Sequence, residues 1–127
     1  MNIFIIGGGN LGSAIAKGLK EANREFFITV SRRNVEKIAY LKELGIQTTG
    51  SNVTFLETAD ILILAVKPHQ ISNILTEIRP FLNAQIVISV ATGFTLRELQ
   101  ASLGFNIPLF RAMPNTAIAQ KESMTCI

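Results

Sequence analysis

Tryptophan is absent from this 127-residue chain, and tyrosine and cysteine each occur once. The single thiol, Cys126, rules out an intramolecular disulfide and fits a reducing compartment. With no Trp, one Tyr and a mild net charge of +3 that is not clustered with aromatics, no nucleic-acid partner is expected. The longest purely apolar run, Ile61 to Val66, falls far short of the ~20 residues a membrane helix needs, so no membrane partner is expected either. No His, Cys, Asp and Glu cluster has metal-ligand spacing. The N-terminal apolar run has no basic stretch before it and meets glycine at once, which is unlike a signal peptide. A cytoplasmic location is the expectation.

What the chain does have is 48% apolar residues and a mean hydropathy of +0.36, enough for a well-filled core. One domain of this length buries about two-thirds of the surface its unfolded chain exposes. Strand and helix patterns alternate along it. Ile3 to Ile6 reads as a first strand, and Leu11, Ile15, Ala16 and Leu19 as the apolar face of a first helix. Phe26 to Val30 is a second strand. Asn34 is placed to cap a helix to about Leu44, with Val35, Ile38, Leu41 and Leu44 on its apolar face and Gly45 at its C-cap. Residues 46–49 read as a third strand and 52–58 as a helical turn.

Ile61 to Val66 shows no alternation, as in a strand buried on both faces of a parallel sheet. A helix is predicted from Pro68, whose missing N–H costs nothing in a first turn, to about Arg79. Ile86 to Val90 is a fifth strand, Thr95 and Glu98 form a capping box, and residues 106–110 are a sixth strand. Alternating β and α elements with short joins predict an α/β domain of Rossmann type: a doubly wound, mostly parallel sheet in a three-layer αβα arrangement.

In such sheets ligands bind beyond the carboxyl ends of the strands, so residues 7–12, 31–34, 66–70, 91–94 and 111–116 carry the interest. The first strand runs directly into Gly7-Gly8-Gly9-Asn10-Leu11-Gly12, a G-x-G-x-x-G pattern that opens a helix. Gly7 turns the chain off the strand, Gly9 leaves room for a pyrophosphate, and Gly12 lets the helix pack close to the sheet. The helix start offers free N–H groups and the positive end of its dipole. In this strand-turn-helix context the pattern predicts dinucleotide binding through Gly7, Gly9, Asn10, Leu11 and Gly12, in preference to a purely structural turn.

A site for NAD usually ends its second strand in Asp or Glu, which accepts from the ribose 2′-OH. Here Ser31, Arg32 and Arg33 follow Val30. A hydroxyl and two guanidinium groups hold a 2′-phosphate that a carboxylate would repel, so NADP is predicted, with NADPH preferred over NADH. The alternative is two solvated charges beside a helix start, where the dipole disfavours a cation. Asn52 is placed either to reach the adenosine ribose or to cap a helix. Val66, Lys67 and Pro68 follow the central strand and are candidates for the cofactor groove, while His69 reads as structural. Ala91-Thr92-Gly93 is a small-residue loop that lets a nicotinamide lie close to backbone, or an ordinary turn. The Asn115 amide both donates and accepts, as a carboxamide or imino acid requires, and turn chemistry explains Pro114-Asn115 equally well. No catalytic acid or base is assigned; Ala91, Thr92, Gly93 and Asn115 are substrate-adjacent candidates.

Four blocks occur in order: Gly7 to Leu19, Ala65-Val66-Lys67-Pro68-His69, Ser89-Val90-Ala91-Thr92-Gly93, and Arg111-Ala112-Met113-Pro114-Asn115-Thr116. Together they resemble the cofactor-binding domain of pyrroline-5-carboxylate reductases over essentially the whole chain. The last block is the most specific to that family; the glycine block is shared by many dehydrogenases. The resemblance implies hydride transfer from NAD(P)H to the C=N carbon of 1-pyrroline-5-carboxylate, giving proline in the last step of its biosynthesis. It also implies that Asn52 meets the adenosine ribose, that Lys67 and Pro68 line the groove, and that residues 91–93 lie beside nicotinamide and substrate.

The sequence departs from that pattern at Ala117, where the family has Pro, and at Gln120 to Ser123, where it has a Gly-rich stretch. The family continues into a helical domain that builds the dimer and much of the substrate site. The expectation is therefore one NADP-binding domain over residues 1–127, without that helical dimerisation domain. Homo-oligomers are implied for the family's full-length members. An apolar patch around Ile118, Met124 and Ile127 is expected here, open to self-association. Two other readings stand beside this one: another small NADP reductase, such as a deazaflavin-dependent NADP oxidoreductase, or a non-catalytic NADP(H)-binding module.

Overall fold

The structure, a computed structural model, describes residues 1–91, 95–104 and 107–112. In chain order they form β1 (Asn2–Ile6), α1 (Asn10–Ala22), β2 (Phe27–Ser31), a 3₁₀ helix (Val35–Leu44) and β3 (Gln47–Thr49). Then come β4 (Ile61–Leu64), α2 (Pro68–Ile78), a short 3₁₀ turn (Arg79–Phe81), β5 (Ile86–Ser89), α3 (Leu96–Leu103) and β6 (Leu109–Arg111).

β1 shows why the sheet is covered twice. Side chains alternate across a strand, and here both faces are apolar: Phe4 and Ile6 enter one core, Ile3 and Ile5 the other. On one face Leu62, Leu64 and Val87 join Phe4 and Ile6 against Ile71, Leu75 and Ile78 of α2 and Leu99 and Leu103 of α3. On the other, Ile28, Val30 and Ile63 join Ile3 and Ile5 against Ile15 and Ala16 of α1 and Ile38 and Leu41 of the 3₁₀ helix. The result is a three-layer Rossmann-type domain around two apolar cores.

All strand pairings are parallel, in the order β3-β2-β1-β4-β5-β6. The chain starts in the middle, winds outward to β3, then returns to place β4 beside β1 and winds the other way. The carboxyl ends of β1 and β4 therefore diverge into connections on opposite faces, and a crevice opens between them.

Several elements differ from the sequence reading for physical reasons. Strand ends move by one to three residues: β2 begins at Phe27, β4 ends at Leu64, β5 ends at Ser89, and β6 runs from Leu109 to Arg111. Residues 52–58, read as a helical turn, form bends and successive turns, with Leu56 N donating to Val53 O and Ala59 N to Leu56 O at 3.2 Å each. The helix after β2 is 3₁₀ throughout, and Asn34 makes no side-chain cap to it. Its apolar positions Val35, Ile38, Leu41 and Leu44 recur every third residue, the period at which 3₁₀ side chains eclipse. Ile38 and Leu41 are buried, Val35 packs at the margin, and Leu44 stays 49% exposed. Gly45 does end the helix in the left-handed region, at φ 80°. At Thr95 half of the capping box forms. Its hydroxyl accepts from Glu98 N at 3.1 Å, while the Glu98 carboxylate accepts from that hydroxyl at 3.2 Å instead of from a backbone N–H.

Candidate functional site

The glycine loop is held by the ends of its neighbouring strands. Gly7 N and Gly8 N both donate to the Ser31 carbonyl, at 3.1 and 2.9 Å, so the end of β2 anchors the turn that leaves β1. The Gly8 carbonyl in turn accepts from Arg32 Nη1 at 3.0 Å and from the buried Ser13 hydroxyl at 3.1 Å. Gly7 has φ +111°, and a Cβ there would lie 2.5 Å from the Ala65 carbonyl oxygen at the end of β4. A Cβ on Gly12 would overlap the Gly7 carbonyl oxygen, so α1 can pack this close only without one.

Gly9 differs from both. Its φ is −76°, and a Cβ on it would meet nothing within 4 Å. The fold's own packing does not require glycine there, and the open side faces outward over the start of α1. That start has no side-chain cap and no acidic residue in its first turn. Its first N–H groups and the positive dipole end are left for an anion from outside. The open, uncapped and acid-free start of α1 suits an anion in sign.

From this loop a cavity of about 920 Å³ runs along the carboxyl ends of the strands. Its lining includes Gly7, Gly9, Ser31, Arg32, Arg33, Asn52, Val66 and Lys67, eight positions singled out from the sequence and here brought together. A second hollow, of about 480 Å³, lies on the other side of the loop between Asn10, Lys17, Lys37 and Tyr40, and Arg32 borders both. There the Lys17 ammonium sits 4.8 Å from the centroid of the Tyr40 ring and ties α1 to the 3₁₀ helix.

Other expected positions fall elsewhere. Leu11 packs against the α1-side core, and Gly12 is buried beneath the loop. Pro68 opens α2 on the surface and does not itself line the cavity, although its neighbours Lys67 and His69 do, while Ala91 is 5% exposed and packs in the α2-side core. Thr92, Gly93 and Asn115 lie outside the described residues, as do Cys126 and the patch expected around Ile118, Met124 and Ile127. His69, read as structural, is exposed and borders the cavity.

Apart from Gln70, which lies in the 66–70 segment singled out from the sequence, the far wall was missed. Gln70, Asn73, Ile74 and Glu77 of α2 line the cavity beside Gly50 and Ser51. Their spacing of three, four and seven residues marks one helix face, next to the buried stripe of Ile71, Leu75 and Ile78. That second stripe was the available signal. Ser31 and Asn52 are also not free side chains. The Ser31 hydroxyl, 1% exposed, donates to Asn52 Oδ1 at 2.8 Å, and Asn52 Nδ2 donates to Glu77 Oε1 at 2.9 Å. Among the described residues no group of three His, Cys, Asp or Glu side chains is arranged to hold a metal ion. Nor is any described helix long and apolar enough to cross a membrane.

Residues 2–93 match the family described as NADP oxidoreductase, coenzyme F420-dependent. The chain belongs to this NADP oxidoreductase family. Other proteins similar to it carry a narrower name. Pyrroline-5-carboxylate reductase 2 of Dictyostelium discoideum is 41% identical over 132 residues, covering 99% of this chain and 44% of that protein. The structure of a pyrroline-5-carboxylate reductase from Coxiella burnetii superposes with a TM-score of 0.87 at 34% identity, over 98% of this chain and 47% of that one. The pyrroline carboxylate reductase of Plasmodium falciparum, solved with NADP bound, gives a TM-score of 0.82 at 25% identity, over 99% of this chain and 47% of that one. This NADP oxidoreductase family chain thus spans less than half the length of the relatives it matches.

Proposed function

We propose that residues 1–127 are the NADP(H)-binding domain of a pyrroline-5-carboxylate reductase, which reduces the C=N bond of 1-pyrroline-5-carboxylate to give proline. The observation that carries the reading is Gly9: a glycine the fold does not need, open to the outside, over an uncapped and acid-free helix start. The relatives' names and the NADP bound in the Plasmodium falciparum structure support the choice of reaction and cofactor.

In this reading Gly9, Asn10 and the start of α1 hold the pyrophosphate, with Gly7 and Gly12 shaping the turn. Asn52 meets the adenosine ribose, and Val66 and Lys67 line the groove toward the nicotinamide end. Leu11 and Pro68 act through packing and through the start of α2. Ala91, Thr92, Gly93 and Asn115 border the substrate. Bound here, the dinucleotide supplies the hydride; the chain's part is to fix its position and orientation. A helical dimerisation domain would complete the substrate site. The family description favours a deazaflavin as a second candidate substrate, which assays with the imino acid and the deazaflavin separate.

In this reading the 2′-phosphate falls to Arg33. The Ser31 hydroxyl is taken by Asn52, and Arg32 braces Gly8, whereas Arg33 is exposed at the cavity rim. Arg33 is therefore the cleaner reader of a 2′-phosphate. Fluorescence titration of the chain should give saturable binding with NADPH at least tenfold tighter than NADH, the scale of one or two charge-assisted hydrogen bonds. Arg33→Ala should remove most of that preference, while Arg32→Ala should weaken both cofactors. Equal affinities, unaffected by Arg33→Ala, would refute the 2′-phosphate assignment, and a chain that binds neither cofactor would refute the domain's function.

A further inference from the structure

Glu77 is an anomaly in the cavity. Among the described lining residues it is the one acid, set with Arg32, Arg33 and Lys67 around a space suited to a phosphate-bearing ligand. A carboxylate there repels such a ligand, so its presence calls for a compensating role. Its contacts supply one. Glu77 Oε1 accepts from Asn52 Nδ2 at 2.9 Å, and Asn52 Oδ1 accepts from the Ser31 hydroxyl at 2.8 Å. A carboxylate can only accept, so it selects the NH₂ end of the Asn52 amide; turning the amide over would set oxygen against oxygen. Both ends of the amide are engaged, one from α2 and one from the end of β2.

We propose that Glu77 is the positioning residue for the adenosine end of the bound nucleotide. It fixes the Asn52 amide so that Asn52 Oδ1 presents its remaining lone pair on the cavity face. Ribose hydroxyls are donors that such a face takes up. The inference rests on the cavity being a dinucleotide site.

The test is calorimetric titration of the 127-residue chain with 5′-AMP and 2′,5′-ADP, the adenosine halves of NADH and NADPH. Nicotinamide mononucleotide serves as the ligand that should not respond. Glu77→Met keeps the length of the side chain and loses the acceptor, and should weaken 5′-AMP about three- to tenfold, the range for one hydrogen bond. Glu77→Gln keeps an acceptor and should stay within about twofold of the unaltered chain, which a requirement for the charge alone would not allow. In an Asn52→Ala background the Met and Gln variants should bind alike, because the residue acts through Asn52. Equal melting temperatures for the variants would set aside a general loss of fold. Unchanged 5′-AMP binding in Glu77→Met, or the same loss in the Asn52→Ala background, would overturn the positioning role while NADPH binding by the unaltered chain leaves the dinucleotide reading intact. An unaltered chain that binds no nucleotide would overturn both.

Discussion

Gly9 and Gly12 stand three positions apart in one motif and are glycine for opposite reasons. A methyl group on Gly12 would overlap the Gly7 carbonyl oxygen, backbone that cannot give way cheaply, whereas one on Gly9 would enter open space. Gly12→Ala should therefore cost about 1–3 kcal/mol of stability in urea unfolding, the range for overpacking a fitted contact. Gly9→Ala should leave stability within about 0.5 kcal/mol, as for a change that touches nothing. In the same titrations Gly9→Ala should weaken NADPH at least tenfold. A Gly9→Ala chain that binds NADPH normally would remove the pyrophosphate from this loop. The motif itself is legible in the sequence. Which glycine serves the fold and which serves a ligand is not, because that depends on the position of the Gly7 carbonyl after the chain has turned.

At the scale of elements, periodicity foretold most of the architecture, and the exceptions have local causes. Ile61 to Val66 reads as a doubly buried strand because every residue is apolar, and its Ile61–Leu64 part forms β4, between β1 and β5. The helix after β2 was legible, but its 3₁₀ form was not read from the spacing of exact threes, which an α-helix would spread around its axis. Its end depends on Gly45 at φ 80°, where an added Cβ would come 3.3 Å from Lys20 Cε, a flexible neighbour. Steric crowding is thus minor and backbone strain decides the cost. Gly45→Ala should lose about 1–2 kcal/mol, the penalty of a left-handed conformation for an L-residue, read from the urea midpoint at constant slope. The polar stripe of α2 escaped notice because a solvated helix face and a cavity wall have the same composition.

For the whole molecule, the reversal of strand order between β3 and β4 sets the crevice at the carboxyl ends of β1 and β4. The glycine loop, the end of β2 and the face of α2 meet there. A ligand held by all three ties together segments that unfolding separates. At a hundred times its dissociation constant, NADPH should add about 2.7 kcal/mol of stability, or roughly 10 °C in melting temperature for a domain of this size. Nicotinamide mononucleotide, which lacks the adenosine half, should give a much smaller shift in the same thermal scan. Equal shifts for the two would contradict a site that grips the adenosine end.

The sequence by itself determined the order of strands and helices, the two-faced burial of the central strands and the glycine turn, because each is written in residues near one another. It also determined that no acid ends β2, since Ser31, Arg32 and Arg33 are simply read off. Only the tertiary structure decided which side chains share the cavity. Ser31 and Asn52 lie 21 residues apart, and Asn52 and Glu77 lie 25 apart. No periodicity spans those gaps. The bonds form because packing of α2 on β4 and of β3 on β2 brings three separate strand and helix ends to one edge of the sheet, and hydrogen bonds are short enough to depend on that placement.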